Sequence, residues 1–313
     1  MSQQGASPYV PRMQPSSGAD PGAIDRREGF LVGSVVGAAL AARTASTRDP
    51  ASIRAQLVQG EVMPLAPPAG RQRAAIALAD ELLAELTGGG VDLHRLAGRW
   101  IAWAERDGFE ADPLLTAALD HLREFDAPPT TLPAGSVAAL AAALPAALAG
   151  GSPRAMVAGA YHVARMLDPA GTTALATVAV VVAAATLLEG RRDFVADVVA
   201  ALRANDAPEP VLDAMRTLPR DPRTAPPLPE GPTPDPLAAV TWLLWTGYHR
   251  PRGVDVMREM ALVGGVAPTV GALAGAMFGA REGIESWPDA WIDGAGEDVE
   301  RRKTIARRLD NQP

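Results

Sequence analysis

The side chains of this 313-residue chain that could do chemistry are few and dispersed. Four histidines, His94, His121, His162 and His249, fall in separate segments, and none shows a metal-binding spacing such as His-Glu-x-x-His. Cysteine is absent, which removes disulfides, thiolate metal sites and a cysteine nucleophile. The run ERDGFEADP, Glu105 to Pro113, sets four carboxylates at near-alternate positions. Such oxygens could collect a hard cation, and the same run also reads as a solvated turn between helices. Asp80, Asp168 and Glu285 are the first acids to consider for proton transfer, yet spacing pairs none of them with a base. GAGED, Gly294 to Asp298, lacks the preceding strand and the glycine spacing of a dinucleotide loop, and no Gly-x-Ser-x-Gly elbow or P-loop occurs.

One segment is provided instead with positions for close approach. LVGGVAPTVGALAGAMFGAREGIESWPDAW, Leu262 to Trp291, carries adjacent Gly264 and Gly265, then Gly271, Gly275 and Gly279, with no charge until Arg281. Glycines at the mouth of a helix let a backbone come near a ligand. Glycines repeating along a helix face equally let two helices pack closely. The residues alone leave both readings open.

The elements that must position these residues are helical. Hydrophobic residues make up 48% of the chain but aromatics only 4%, so the core has to be built from Ala, Leu and Val at short helix-to-helix distances, an all-α composition. Gly29 to Ala42 forms a small-residue helix with Gly33 and Gly37 on one face. Arg71 to Leu86 forms another, ended by Gly88, Gly89 and Gly90. Leu93, Leu96, Trp100 and Trp103 recur at helical spacing and read as core. Asp112-Pro113 and Ser152-Pro153 each pair an N-cap with proline at the first helical position. Met1 to Asp25, rich in Ser, Gln, Gly and Pro, reads as a disordered tail. Residues 26–313 then form a single domain, and the prolines between Asp206 and Pro236 make that stretch a long surface loop. No strand-like alternation stands out.

Composition also bears on partners and compartment. A net charge of -7, with Arg dispersed among acids, gives no basic field for nucleic acid. Ala127 to Pro153, Gly171 to Leu188 and Met260 to Ala280 are uncharged and approach the length of a bilayer span of about 20 residues. Their Ala, Gly and Thr content, with an internal proline in two, predicts buried core helices and no membrane partner. RREGFLVGSVVGAALAARTA, Arg26 to Ala45, imitates a signal peptide but follows a long polar stretch, so a cytoplasmic protein is the expectation. The wealth of Ala, Arg, Gly and Pro fits a bacterial high-GC coding bias.

Taken together, the segments from about Gly29 to Trp291 resemble the ADP-ribosylglycohydrolases, a family that includes the hydrolase releasing ADP-ribose from dinitrogenase reductase. GFLVGSVVGAALAA resembles the family's opening helix, which ends in Gly-Asp-Ala-Leu-Gly, and RQRAAIALADELLAEL the helix that begins with Asp-Asp-Thr. LAGRWIAWAERDG is similar to an Arg-Tyr-x-x-Trp segment, and GSVAAL to Asn-Gly-Ser-Leu-Met-Arg. The Leu262 to Trp291 segment is similar to Gly-Gly-Asp-Thr-Asp-Thr-x-Gly-Ala-x-Ala-Gly, followed by Gly-x-x-x-Ile-Pro-x-x-Trp, and is the most specific match. The resemblance implies a compact, orthogonal multi-helix fold and a cleft holding two magnesium ions.

Residue by residue, the resemblance implies that the cleft has lost its acids. The aspartate of the opening helix falls on Ala38 and a later acid on Ala45; the Asp-Asp-Thr triplet falls on Gly70, Arg71 and Gln72. Past Gly264 and Gly265, the two hallmark aspartates fall on Val266 and Pro268, with Ala267 between them, and only Thr269 persists. The Ser-Leu-Met-Arg arginine falls near Ala139, and Leu167 stands where histidine is common. A magnesium pair needs several carboxylates, so no cofactor is expected. The leading expectation is a catalytically inactive homologue with a degenerate cleft at Ala38, Arg71, Gln72, Gly264, Gly265, Val266, Pro268 and Thr269, binding a nucleotide-like small molecule or a protein. Arg71 could grip a phosphate there. The alternative is a hydrolase with altered, metal-independent chemistry that uses Asp80, Asp168 or Glu285. A purely structural partner in an assembly is a third reading.

Overall fold

The computed structural model describes residues 22–64, 74–107, 113–131, 135–150, 152–220, 222–296 and 298–311. Fifteen α-helices are found among them. The first is α1 (Ala23–Thr44), followed by α2 (Pro50–Arg54) and a hairpin of β1 (Leu57–Val58) and β2 (Glu61–Val62). Next come α3 (Ala74–Thr87), α4 (Leu93–Asp107), α5 (Pro113–Phe125), α6 (Val137–Ala143), α7 (Pro153–Leu167), α8 (Gly171–Leu188), α9 (Val195–Ala204) and α10 (Glu209–Thr217). The chain continues through α11 (Pro236–His249), α12 (Gly253–Val263), α13 (Pro268–Glu282), α14 (Asp289–Gly294) and α15 (Asp298–Asp310). The all-α expectation holds. The hairpin, two residues to a strand, is too short to show a period-two pattern in the sequence.

Helix starts follow the local chemistry. The side chains of Ser152 and Asp235 accept the N–H groups of Ala155 and Ala238 at 3.2 and 2.8 Å, each just ahead of a proline at the first helical position. The helix expected from Gly29 begins earlier, at Ala23, while Asp112 and residues 1–21 lie outside the described residues. The stretch 206–236 is not loop throughout. Its prolines confine helix to α10, where Pro210 occupies the first turn and Val211, Leu212 and Met215 turn inward.

The three uncharged stretches do different things. Residues 127–153 break into α6 and a 3-10 turn at Leu144–Leu148, and residues 260–280 break at Gly264 to Pro268. Only α8 is long and apolar enough to cross a membrane among the described residues. Its residues Thr173 to Ala184 are all buried, and it packs against α6, α7, α9, α11 and α13. Trp100 is fully buried, with its indole N–H donated to the Leu78 carbonyl at 3.0 Å, and Trp103 is also in the core.

The tightest packing joins α1 to α13. Gly29, Gly33 and Gly37 face Gly279, Gly275 and Gly271 in an antiparallel register. A Cβ added to Gly33 would lie 2.2 Å from the Gly275 carbonyl oxygen, and one added to Gly275 would lie 1.9 Å from that of Gly33. No side chain fits between the helices. The glycines of the late segment beyond Pro268 therefore serve helix packing, one of the two readings its spacing allowed. At the far end of α13, the buried Arg281 guanidinium donates to the Gly247 and Arg250 carbonyls at 2.7 and 2.8 Å and pairs with Glu282. Glu282 in turn accepts the Gly253 N–H at 2.9 Å, fixing the turn between α11 and α12 against α13.

Glu85 on α3 holds α4 in a similar way. Its buried carboxylate accepts from the Arg95 and Arg99 guanidiniums at 2.7 Å each. The Arg95 hydrogen bond holds the Glu85 carboxyl below its ordinary value of 4.5, with Arg99 adding to the effect and burial opposing it.

Two stability measurements follow. Gly275→Ala is expected to lower stability in urea unfolding by about 2–3 kcal/mol, since a methyl forced against backbone must part the helices. Gly98→Ala on α4, whose added Cβ meets nothing within 4 Å, is expected to raise it by up to about 1 kcal/mol. A depressed carboxyl stabilises the fold above its unfolded value and loses that contribution as pH falls through the folded one. Glu85→Gln should therefore be less stable than wild type near neutral pH, and the gap should narrow as pH drops below 4.5. A gap constant through the acid range would give Glu85 a packing role only.

Candidate functional site

The turn from α12 into α13 is forced by two glycines. Gly264 and Gly265 have φ of 73° and 67°, in the left-handed region that side chains avoid. A Cβ on Gly264 would also lie 2.1 Å from the Thr47 carbonyl oxygen, and one on Gly265 2.4 Å from Arg48 Nε. The backbone here ties three segments together. Gly265 donates its N–H to Thr44 at the end of α1 (2.9 Å), while Gly231 donates to the Gly265 carbonyl (2.8 Å) and bridges Val266 in parallel. Ala267 then leaves the bridge in an extended conformation, and Pro268 opens α13.

This knot borders a cavity of about 440 Å³. Ala45 and Ser46 close it from the end of α1, and Ala267, Pro268 and Thr269 from the start of α13. The starts of α3, α5 and α6 contribute Ala74 and Ala75, Pro113 and Leu115, and Val137 and Ala138. The segment Gly231 to Pro234 supplies the remaining side. The hydroxyls of Ser46, Thr233 and Thr269 are the only polar side-chain groups on this described wall, and no charged side chain lies on it. Arg48, which packs against Gly265, and Glu230, next to Gly231 in the chain, pair with each other at 2.7 Å.

The α6 wall is held from behind by Asp168. One carboxylate oxygen accepts the N–H groups of Gly135 and Ser136 at 2.8 and 2.7 Å, and the other accepts that of Ala170 at 2.7 Å. Three N–H donors make a buried carboxylate tolerable, and they occupy Asp168 with backbone. Asp80 pairs with Arg301 at 2.5 Å and with the buried Arg302, and Glu285 is exposed on a 3-10 turn. The three acids singled out from sequence are thus not brought together.

The residues assigned to a degenerate cleft divide in the same manner. Pro268 and Thr269 are on the wall, joined by Ala45 and Ala267. Gly264, Gly265 and Val266 form the turn and bridge behind it. Ala38 is fully buried against Ile76 and Ala272, away from the wall, and Ala139 and Leu167 are buried in the core. Arg71 and Gln72 lie outside the described residues, as do residues 108–112 of the acidic run. Sequence reading missed Gly231 to Pro234 and the starts of α3, α5 and α6. The one available signal was the Gly-Pro step in the proline-rich stretch, which reads first as surface.

Of the histidines, His249 lies against Trp245 and Tyr248 and bonds the Leu218 carbonyl through Nε2 at 2.6 Å; His94 is exposed beside Asp126. Among the described residues no three His, Asp or Glu side chains gather in a metal-ligating group.

The architecture and the segments that surround this cavity can be compared with known proteins. No functionally curated protein matches the sequence. A solved structure described as an ADP-ribosylglycohydrolase-related protein complex superposes with a TM-score of 0.72 at 21% identity, covering 92% of this chain and 97% of that one. At that identity the likeness speaks for the fold. The model of the family described as ADP-ribosylglycohydrolase matches residues 19–313, nearly the whole chain, and this protein belongs to that family.

Proposed function

We propose that this member of the family binds in its cleft without hydrolysing, as a module for a small ligand or a protein partner. The observation that carries the reading is the chemistry of the wall where α1 ends and α13 begins. The resemblance assigns acids to Ala45 and Pro268, and both residues line the cavity. A magnesium pair placed there would give up water for methyl and methylene groups, because the described wall offers hydroxyls and no carboxylate. The donor set of the described wall does not fit the family's metal centre. Among the described residues, neither Asp80, which is ion-paired, nor Asp168, which is tied to three backbone N–H groups, takes over. The cavity itself is kept: the knot of Thr44, Gly231 and Gly265 and the Asp168 clamp hold its sides in place.

The purified protein, incubated with an ADP-ribosyl-arginine substrate and magnesium or manganese, is expected to release no ADP-ribose above the uncatalysed rate. Titration of either metal in a calorimeter is expected to give only heat of dilution. Metal-dependent release of ADP-ribose would overturn the reading.

A further inference from the structure

The last helix meets the rest of the fold through a polar face. Eight of the thirteen residues of α15, DVERRKTIARRLD, are charged, and its buried residues are Val299, Arg302, Ala306 and Leu309. It packs on α1 and α3. Three apolar side chains of modest size bury little area, so they hold the helix weakly. Ion pairs supply the other attachments. Arg301 and Arg302 reach Asp80 on α3, Arg307 reaches Glu28 on α1 at 2.8 Å, and Asp310 receives Arg27 of α1. Arg301, Arg307 and Asp310 are exposed, so water and dissolved salt screen their pairs.

Arg302 is buried instead, and it is poorly provided for. Its side chain is 2% exposed, and its Nε has no hydrogen-bond partner among the described residues. Burial pulls its guanidinium below the ordinary value, with Asp80 opposing. A desolvated charge with an unmet donor costs free energy that one carboxylate only partly returns. Nor does Arg302 fill its surroundings. A cavity of about 20 Å³ remains beside it, walled by Phe30 and Leu31 of α1, Ala79 of α3, Leu144 after α6 and Ala272 of α13.

We propose that α15 is a detachable strap: it undocks as a unit while α1, α3 and α13 stay folded, withdraws Arg302, and opens the small cavity into an apolar cleft. Partial opening of a fold starts where its attachments are weakest. Undocking returns Arg302 to water and forfeits only Val299, Ala306, Leu309 and the screened pairs, whereas α1 and α13 keep their glycine seam.

Hydrogen exchange of the full chain, followed by mass spectrometry of its peptides at about 0.1 and about 1 M sodium chloride, reads the undocking. Peptides from residues 302–310 are expected to exchange about tenfold or more faster than those of α8 and α13, and salt should raise the α15 rate about threefold relative to α13 in the same sample. The chain has no cysteine, so a single introduced thiol reports on the cavity. Ala79→Cys, at a buried position on the cavity wall, should react with a thiol reagent about tenfold faster than Val181→Cys at a buried position on α8. Adding Asp80→Asn to Ala79→Cys removes both arginine pairs and should speed that reaction about fivefold further. Fraying confined to the end of α15 would leave the Ala79→Cys thiol as protected as that of Val181→Cys, and would overturn the proposal. So would α15 exchange as slow as that of α13, or an equal response of the two helices to salt.

Discussion

Contact between α1 and α13 without intervening side chains is the constraint on which the other helices depend. At Gly29, Gly33 and Gly37 the two backbones approach until each carbonyl oxygen occupies the space of the opposing Cβ, 1.9 to 2.5 Å from where that atom would be. Such a seam gains dispersion and Cα–H···O contacts instead of interdigitated side chains. This suits a chain with few aromatics. The large rings border the seam and fill what it leaves: a Cβ on Gly33 would lie 3.2 Å from Trp287, and a Cβ on Gly253 2.4 Å from Phe278. Because backbone faces backbone, the register is fixed to single residues and neither helix can rotate without a clash.

That register reaches the cavity. The glycine pairs step down α1 as they step up α13, so the end of α1 arrives beside the start of α13. Ala41 already touches the position of a Cβ on Gly271. Thr44 then receives the Gly265 N–H, and Ala45 and Pro268 meet across the same space. The wall thus sits at the mouth of the seam. α3 and α6 are added around this pair, with Ile76 of α3 packed on Ala38 and Ala272 and the entry to α6 held by Asp168.

Much of this was legible in the sequence, and the part that was not has a physical cause. Helix periodicity, the capped start at Ser152 and the core tryptophans are local signals, and they appear where expected. The repeat of Gly33 and Gly37 announced a close-approach face, but its partner lies more than 200 residues away in the chain, and no local pattern names a partner. The same ignorance left Gly271 and Gly275 divided between packing and a cleft. Ala38 was drawn into the site because motif position carries no direction: one residue of a helix faces a neighbour and another, at Ala45, faces the cavity. Gly231 to Pro234 escaped notice because proline-rich sequence looks alike on a surface and on the rim of a pocket.

A site that gathers carboxylates for metal stores repulsion whenever the metal is away, and the fold around it must supply the difference. Here the elements that shape the cavity are held by forces indifferent to metal: the glycine seam, the backbone knot at Gly265 and the three N–H donors on Asp168. With alanine and proline on the described wall, no like charges there need separating. The scaffold can therefore keep its shape while the chemistry of the wall changes.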